Sequence, residues 1–174
     1  VRETNEQLIL QAKNNPNLDG MGTTFVMASV LEDRILVANI GDSRLYIIDS
    51  EMEQITMDHS LVAEMVRNGD INEEAARIHP NKNIVTRALS TNGVVVPDFF
   101  EVPRKDNMAI LLCSDGLFSM VDNEEIVTIV KENKGNPEMA CKTLVHRANE
   151  NGGKDNISVV LVYLNEAETE NEHD

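Results

Sequence analysis

Residues 22–48, GTTFVMASVLEDRILVANIGDSRLYII, decide the fold. Val, Ile, Thr, Phe and Tyr crowd runs at 22–30, 34–40 and 45–48, and such stretches read as strands. Glu32-Asp33 is the turn between the first two. Together the runs predict an antiparallel meander with short connections. Their apolar residues are mostly continuous, which predicts strands covered on both faces.

Outward from this stretch, helices and further strands follow. Residues 2–13 read as a helix with Leu8, Ile9 and Ala12 on one stripe. Leu61, Val62, Met65 and Val66 have helical spacing, with Asn68-Gly69 as a stop. Asn72 followed by Glu73 and Glu74 starts a second short helix, which Pro80 ends. Residues 58–93 thus read as two small helices and a loop inserted between strands. Strand signals return at 99–102 and 108–113. Asp122 caps a helix with Glu125 at N3 and Ile126, Ile129 and Val130 inward, and Gly135 closes it. Asn136 caps the next, with Pro137 at N1. Its stripe is Ala140, Leu144 and Ala148, widened by Cys141 and Val145, and Asn151-Gly152-Gly153 stops it. ISVVLVYL at 157–164 is the strongest strand. The pattern predicts an α+β domain over residues 1–164, with helices on a largely antiparallel sheet. Residues 165–174 read as an acidic, disordered tail.

The chain has 174 residues, near the size of one domain, and 41% of them are hydrophobic, enough for a core. Its formal charge is -15, and the five acids in the last ten residues leave -10 on the remainder. That balance excludes nucleic acid and anionic membrane as main partners. No apolar run approaches a membrane span, and no basic-then-apolar leader opens the chain. Two cysteines, Cys113 and Cys141, make no disulfide framework, so the expected location is a reducing cytoplasm. Val1 is not an initiator Met, and the chain is expected to begin inside a domain.

Three aspartates share a setting. Asp42 and Asp115 each follow a strand, and Asp155 precedes one, always beside Gly or another small residue. Gly permits close backbone approach, and carboxylates gathered at strand ends are hard ligands for Mg²⁺ or Mn²⁺. Asp beside Gly is also ordinary turn chemistry, and residue chemistry alone leaves both readings open.

The strings Gly20-Met21-Gly22-Thr23-Thr24, Gly41-Asp42-Ser43-Arg44, Asp58-His59-Ser60, Cys113-Ser114-Asp115-Gly116 and Gly153-Lys154-Asp155-Asn156-Ile157 occur in one order over nearly the whole chain. Together they resemble the metal-dependent protein phosphatase family, the protein phosphatase 2C-like Ser/Thr phosphatases, and their bacterial branch most closely. The insertion at residues 58–93 resembles that branch's flap. The resemblance implies a four-layer α-β-β-α sandwich with helix pairs outside, truncated here at its N-terminus. It implies that Asp115 and Asp155 hold a dinuclear Mg²⁺ or Mn²⁺ centre and that Asp42, with Asp115, holds a third, weaker ion. Gly116 and Asn156 match positions beside those ligands. Ser43 and Arg44 support the Asp42 loop, with an ordinary strand-end ion pair the alternative for Arg44. The implied reaction is hydrolysis of phosphoserine and phosphothreonine in proteins by metal-activated water, with no covalent enzyme intermediate. The implied partners are phosphoprotein targets of a Ser/Thr kinase in bacterial signalling.

The family's opening motif, with a phosphate-gripping Arg and an Asp-Gly that bridges the metals, is not found; Asp19-Gly20 belongs to the later strand start. This chain alone is therefore expected to be a poor phosphatase. Its alternative function is a non-catalytic pseudophosphatase that binds phosphoproteins. Cys141 and Arg147 have cysteine-phosphatase spacing but lie in a helix without Gly, and Gly152-Gly153-Lys154 lacks the rest of a P-loop. His59, His79 and His146 have no mutual ligand spacing; His59 is expected to serve its loop.

Overall fold

The computed structural model describes residues 1–90, 93 and 95–164. Helix α1 (Arg2–Asn14) leads to strands β1 (Gly22–Thr23), β2 (Phe25–Val30), β3 (Arg34–Ile40), β4 (Arg44–Ile48) and β5 (Met52–Gln54). The flap helices α2 (Leu61–Asn68) and α3 (Glu73–Ile78) follow, then β6 (Leu89–Ser90), β7 (Asp98–Pro103) and β8 (Met108–Cys113). A short α4 (Asp115–Phe118), then α5 (Asn123–Glu132), α6 (Pro137–Glu150) and β9 (Val159–Leu164) complete the described chain. The strands pair antiparallel as β2-β3-β7, β5-β4-β8-β9 and a small β1-β6 ladder. This is the α+β architecture expected from the sequence.

The meander is corrected at its third strand. β2 and β3 pair as a hairpin, but β4 leaves their sheet and lies between β5 and β8. The cause is that β4 carries large apolar groups on both faces. Leu45 and Ile47 join Ile35, Val37, Met108 and Ile110 between the two sheets. Tyr46 and Ile48 join Leu111, Cys113, Leu117, Ile126, Leu144 and Leu161 under the helices. Only a central strand covered on both sides buries both sets.

The double coverage expected of the first three strands holds for β4 and fails for β2 and β3, which leave Met27 and Leu36 exposed; beyond them, β8 is also covered on both faces. β7 alternates, leaving Phe99 72% exposed, and β9 leaves Val160 56% exposed. Sequence periodicity cannot show this, because coverage depends on how far the facing sheet extends.

α5 and α6 contact one another, and α6 lies along β9. Asn136 accepts the Met139 N–H at 3.1 Å, with Pro137 in the first turn, as a helix start requires. The side chain of Asp122 makes no cap bond, so the expected capping box does not form; α5 ends at Glu132, with Gly135 beyond its C-cap Asn133. α1 lies against β6. Its buried residue is Asn5, while Leu8, Ile9 and Ala12 are only half-buried. Asn5 Nδ2 donates to the Gly93 carbonyl and its Oδ1 accepts the Ser90 N–H.

The two short helices expected after Ser60 both form. Ser60 Oγ caps α2 through the Ala63 N–H at 3.3 Å, Gly69 ends it at φ +80°, and Asn72 Oδ1 caps α3 through Ala75 N–H at 2.8 Å. Neither helix buries a residue fully. Residues 91 and 92 of the flap reading, residue 94 and the tail 165–174 lie outside the described residues. No described helix is long and apolar enough to cross a membrane.

This packing separates two apolar truncations. Leu144 is fully buried beneath α6, so Leu144→Ala should lower unfolding free energy by about 2–5 kcal/mol. Val160 is mostly exposed, so Val160→Ala should cost less than about 1 kcal/mol. Urea denaturation of both variants checks the pair, and equal losses would contradict the layer assignment.

Candidate metal centre

The antiparallel register gathers the three aspartates. β4 pairs with β8 so that Arg44 faces Cys113, and β8 pairs with β9 so that Cys113 faces Val159. Asp42 lies two residues before Arg44, Asp115 two after Cys113, and Asp155 four before Val159. Because neighbouring strands run oppositely, all three fall at the same end of the sheet. Separations of 73 and 40 residues in sequence thus become a short row in space.

Asp42 sits where the chain passes from one sheet to the other. Gly41 takes φ +103°, and a Cβ there would overlap the Thr24 side chain. Thr24 and Ser43 hydroxyls bond at 2.8 Å, closing the same turn. His59 holds it from the other side, its Nδ1 accepting the Gly41 N–H at 2.9 Å.

Asp115 opens α4 directly after β8, with Ser114 as the N-cap residue. The Asp155 loop is drawn against this turn. Ser114 Oγ donates to the Asn156 carbonyl at 3.0 Å and accepts the Ser158 N–H at 2.9 Å. A Cβ on Gly116 would overlap the Asn156 carbonyl oxygen, so only glycine permits this approach. Asn156 donates its own N–H to Asp155 Oδ1 at 2.7 Å.

Electrostatics records the crowding. Burial raises the pKa of Asp42, and the neighbouring Asp115 charge raises it further. Burial likewise raises Asp115, reinforced by Asp155. The row runs Asp42, Asp115, Asp155, with Asp115 central. Among the described residues, however, no three Asp, Glu, His or Cys side chains converge closely enough to hold one ion between them. The donors are hard carboxylate oxygens carrying unneutralised charge, which suits Mg²⁺ or Mn²⁺ in adjacent pairs.

Arg44 resolves to its alternative reading. Its Nε and Nη2 bond the Asp58 carboxylate, Nη2 at 2.7 Å; Nη1 donates to Tyr46 Oη at 2.9 Å; the guanidinium lies 3.6 Å from the Phe118 ring centroid. It is an ion pair that also lends positive potential to Asp42 and Asp115. A cleft of about 870 Å³ separates this rim from the flap, bounded by Asp42, Asp115 and Asp58 on one wall and Val66, Arg67 and Arg77 on the other. Asp98, Arg87 and Phe118 were not singled out from the sequence, because nothing local to them differs from ordinary strand and loop residues. Cys113 is buried, and burial pushes its thiol pKa up to about 12. Cys141 lies in α6, and burial raises its pKa too. Neither has the character of a thiolate nucleophile.

The raised carboxyls make a stability prediction. A carboxyl with a higher pKa folded than unfolded stabilises the fold when protonated, and that contribution is lost as pH rises through the folded value. The metal-free row therefore costs stability at neutral pH. Asp42→Asn should raise the metal-free melting temperature at pH 7, and the gain should vanish below about pH 4, where both states are protonated. Calorimetry at the two pH values checks this; a lowered melting temperature at pH 7 would contradict the repulsive row.

Known proteins resemble this chain in sequence and in fold. The family model Protein phosphatase 2C matches residues 1–157. Serine/threonine phosphatase stp of Listeria innocua is 43% identical over 166 residues, covering 95% of this chain and 66% of its own length. Protein phosphatase PhpP of Streptococcus pneumoniae is 38% identical, covering 97% of this chain and 68% of its own. The chain thus spans about two thirds of the length of these curated relatives. The crystal structure of Stp1 from Staphylococcus aureus superposes with a TM-score of 0.86 at 37% identity, covering 94% of this chain and 64% of that one. The catalytic domain of phosphatase PstP, solved with 2 manganese ions, superposes at 0.78 with 32% identity, over 90% of this chain and 65% of that one. By sequence and fold, the chain belongs to the protein phosphatase 2C family.

Proposed function

We propose that the protein hydrolyses phosphoserine and phosphothreonine in proteins, dependent on Mg²⁺ or Mn²⁺. The observation that carries this reading is the pair Asp42 and Asp115, both with raised pKa values and both lining an open cleft, with Asp155 beside Asp115. The names of the relatives, serine/threonine phosphatases, support it. Residues 1–164 are read as one phosphatase-like domain. Asp115 and Asp155 are the ligands for one pair of ions, and Asp42 with Asp115 for a third. Divalent cations held there supply an acidified water and positive charge for the phosphoryl oxygens.

The chain's own residues do the rest. Gly41 and Gly116 permit the close approaches to Thr24 and to the Asn156 carbonyl that set the Asp42 and Asp115 turns, Ser43 and Ser114 fix those turns, and the Asn156 N–H bonds Asp155. The Arg44 donors are committed to Asp58 and Tyr46, so Arg44 braces the rim and is not the phosphate clamp. The flap wall of the cleft is the surface a phosphoprotein meets. The partners are targets of a Ser/Thr kinase, in the cytoplasm of a bacterial cell. No observation favours the non-catalytic alternative.

The test is Mn²⁺-dependent hydrolysis of p-nitrophenyl phosphate and of a phosphothreonine peptide by a protein extended to the length of the curated relatives, since this chain alone is expected to turn over poorly. Asp115→Ala should lower turnover at least about 100-fold, since charge stabilisation and positioning dominate phosphoryl transfer. The double variant Cys113→Ser, Cys141→Ser should retain metal-dependent turnover per folded molecule. Loss of that turnover in the serine variant, with Asp115→Ala still active, would overturn the proposal in favour of thiolate chemistry.

A further inference from the structure

His59 is 4% exposed and makes four directed contacts. Its backbone N–H donates to the Gly41 carbonyl at 3.0 Å, and its Nδ1 accepts the Gly41 N–H at 2.9 Å. One residue thereby fixes both peptide planes flanking Gly41, the second of which leads into Asp42. Because Nδ1 accepts, the neutral ring carries its proton on Nε2. That Nε2–H points to Asp98 Oδ2 at 2.9 Å, and Arg87 Nη1 bonds Asp98 Oδ1 at 2.5 Å. Burial raises Asp98, yet hydrogen bonds from His59 and Arg87 outweigh it and hold its pKa low. The carboxylate is therefore an ionised acceptor that keeps the imidazole in this tautomer.

The same residue begins the flap. The His59 carbonyl accepts the Thr86 N–H at 2.8 Å, Ser60 bridges Val85, and the Leu61 N–H reaches the Ile84 carbonyl at 2.9 Å. Both ends of the flap therefore meet at His59, one through residues 59–61 and the other through 84–87. Asp98 stands opposite Asn39 in the β3–β7 ladder, and Asn39 Nδ2 also reaches the Gly41 carbonyl, at 3.3 Å. The turn, the sheet and the flap are tied at one imidazole.

We infer that His59 is a positioning residue: through Gly41 it sets the Asp42 carboxylate for cation binding, with Asp98 and Arg87 fixing its tautomer and linking it to the flap. The inference rests on the reading of Asp42 as a cation ligand. It assigns His59 no contact with substrate or ion. Loss of a residue that orients a ligand typically weakens metal binding by about 10–100-fold.

Two isosteric amides separate positioning from bulk stability. His59→Asn places Oδ1 where Nδ1 accepts the Gly41 N–H but gives up Asp98. His59→Gln reaches toward Asp98 but leaves the Gly41 N–H unpaired. Mn²⁺ titration by calorimetry, with urea unfolding of each variant, is the measurement. His59→Gln should weaken Mn²⁺ at the Asp42-dependent site at least about 10-fold, and His59→Asn should stay within about 3-fold of wild type. In an Asp42→Asn background the His59→Gln effect on Mn²⁺ should disappear, as a double-mutant cycle through one ligand requires. Equal Mn²⁺ losses in the two His59 variants, or a loss that persists without Asp42, would overturn the inference. Failure of the wild-type protein to bind Mn²⁺ would instead overturn the proposed function.

Discussion

Three carboxylates held at one sheet end against their mutual repulsion are the constraint on which the structure turns. Backbone pairing supplies the holding force. The β4–β8–β9 ladder fixes Arg44 opposite Cys113 and Cys113 opposite Val159, and the aspartates follow from that register. A one-residue slip would turn every side chain of the strand over, driving Tyr46 into the layer between the sheets and Leu45 into the layer under the helices, where neither fits the packing. Burial of the apolar residues on both faces of β4 and β8 therefore also protects the placement of Asp42 and Asp115.

The repulsion is accommodated by backbone geometry that other residues would not tolerate. Gly41 and Gly116 each sit where a Cβ would strike a neighbouring segment. Arg44 is spent on Asp58, and Asp98 is spent on His59 and Arg87. The carboxylates of the row keep like-charged neighbours, and this residual charge is what a divalent cation would neutralise.

Much of this was legible in the sequence. Asp42, Asp115 and Asp155 were readable because each lies beside small residues at the end of an apolar run, and the flap helices because Ser60, Gly69 and Asn72 carry their own caps. The exchange of β4 between sheets was not readable, since sheet membership is a non-local choice. Nor were Asp98 and Arg87, whose partnership with His59 spans 39 residues and exists only once β3 and β7 pair. Gly116 stands out in the sequence only by its place beside Asp115, and the structure adds its reason in the Asn156 carbonyl. The Arg44 alternative of a strand-end pair needed Asp58, 14 residues away, to be brought alongside by β5.

Anomalous diffraction from crystals grown with Mn²⁺ tests the central claim most directly, because it locates the ions without reference to turnover. The account predicts manganese peaks along the Asp42–Asp115–Asp155 row at the flap-facing end of β5-β4-β8-β9. Manganese bound only elsewhere on this acidic protein, with the row empty at saturating concentration, would contradict it.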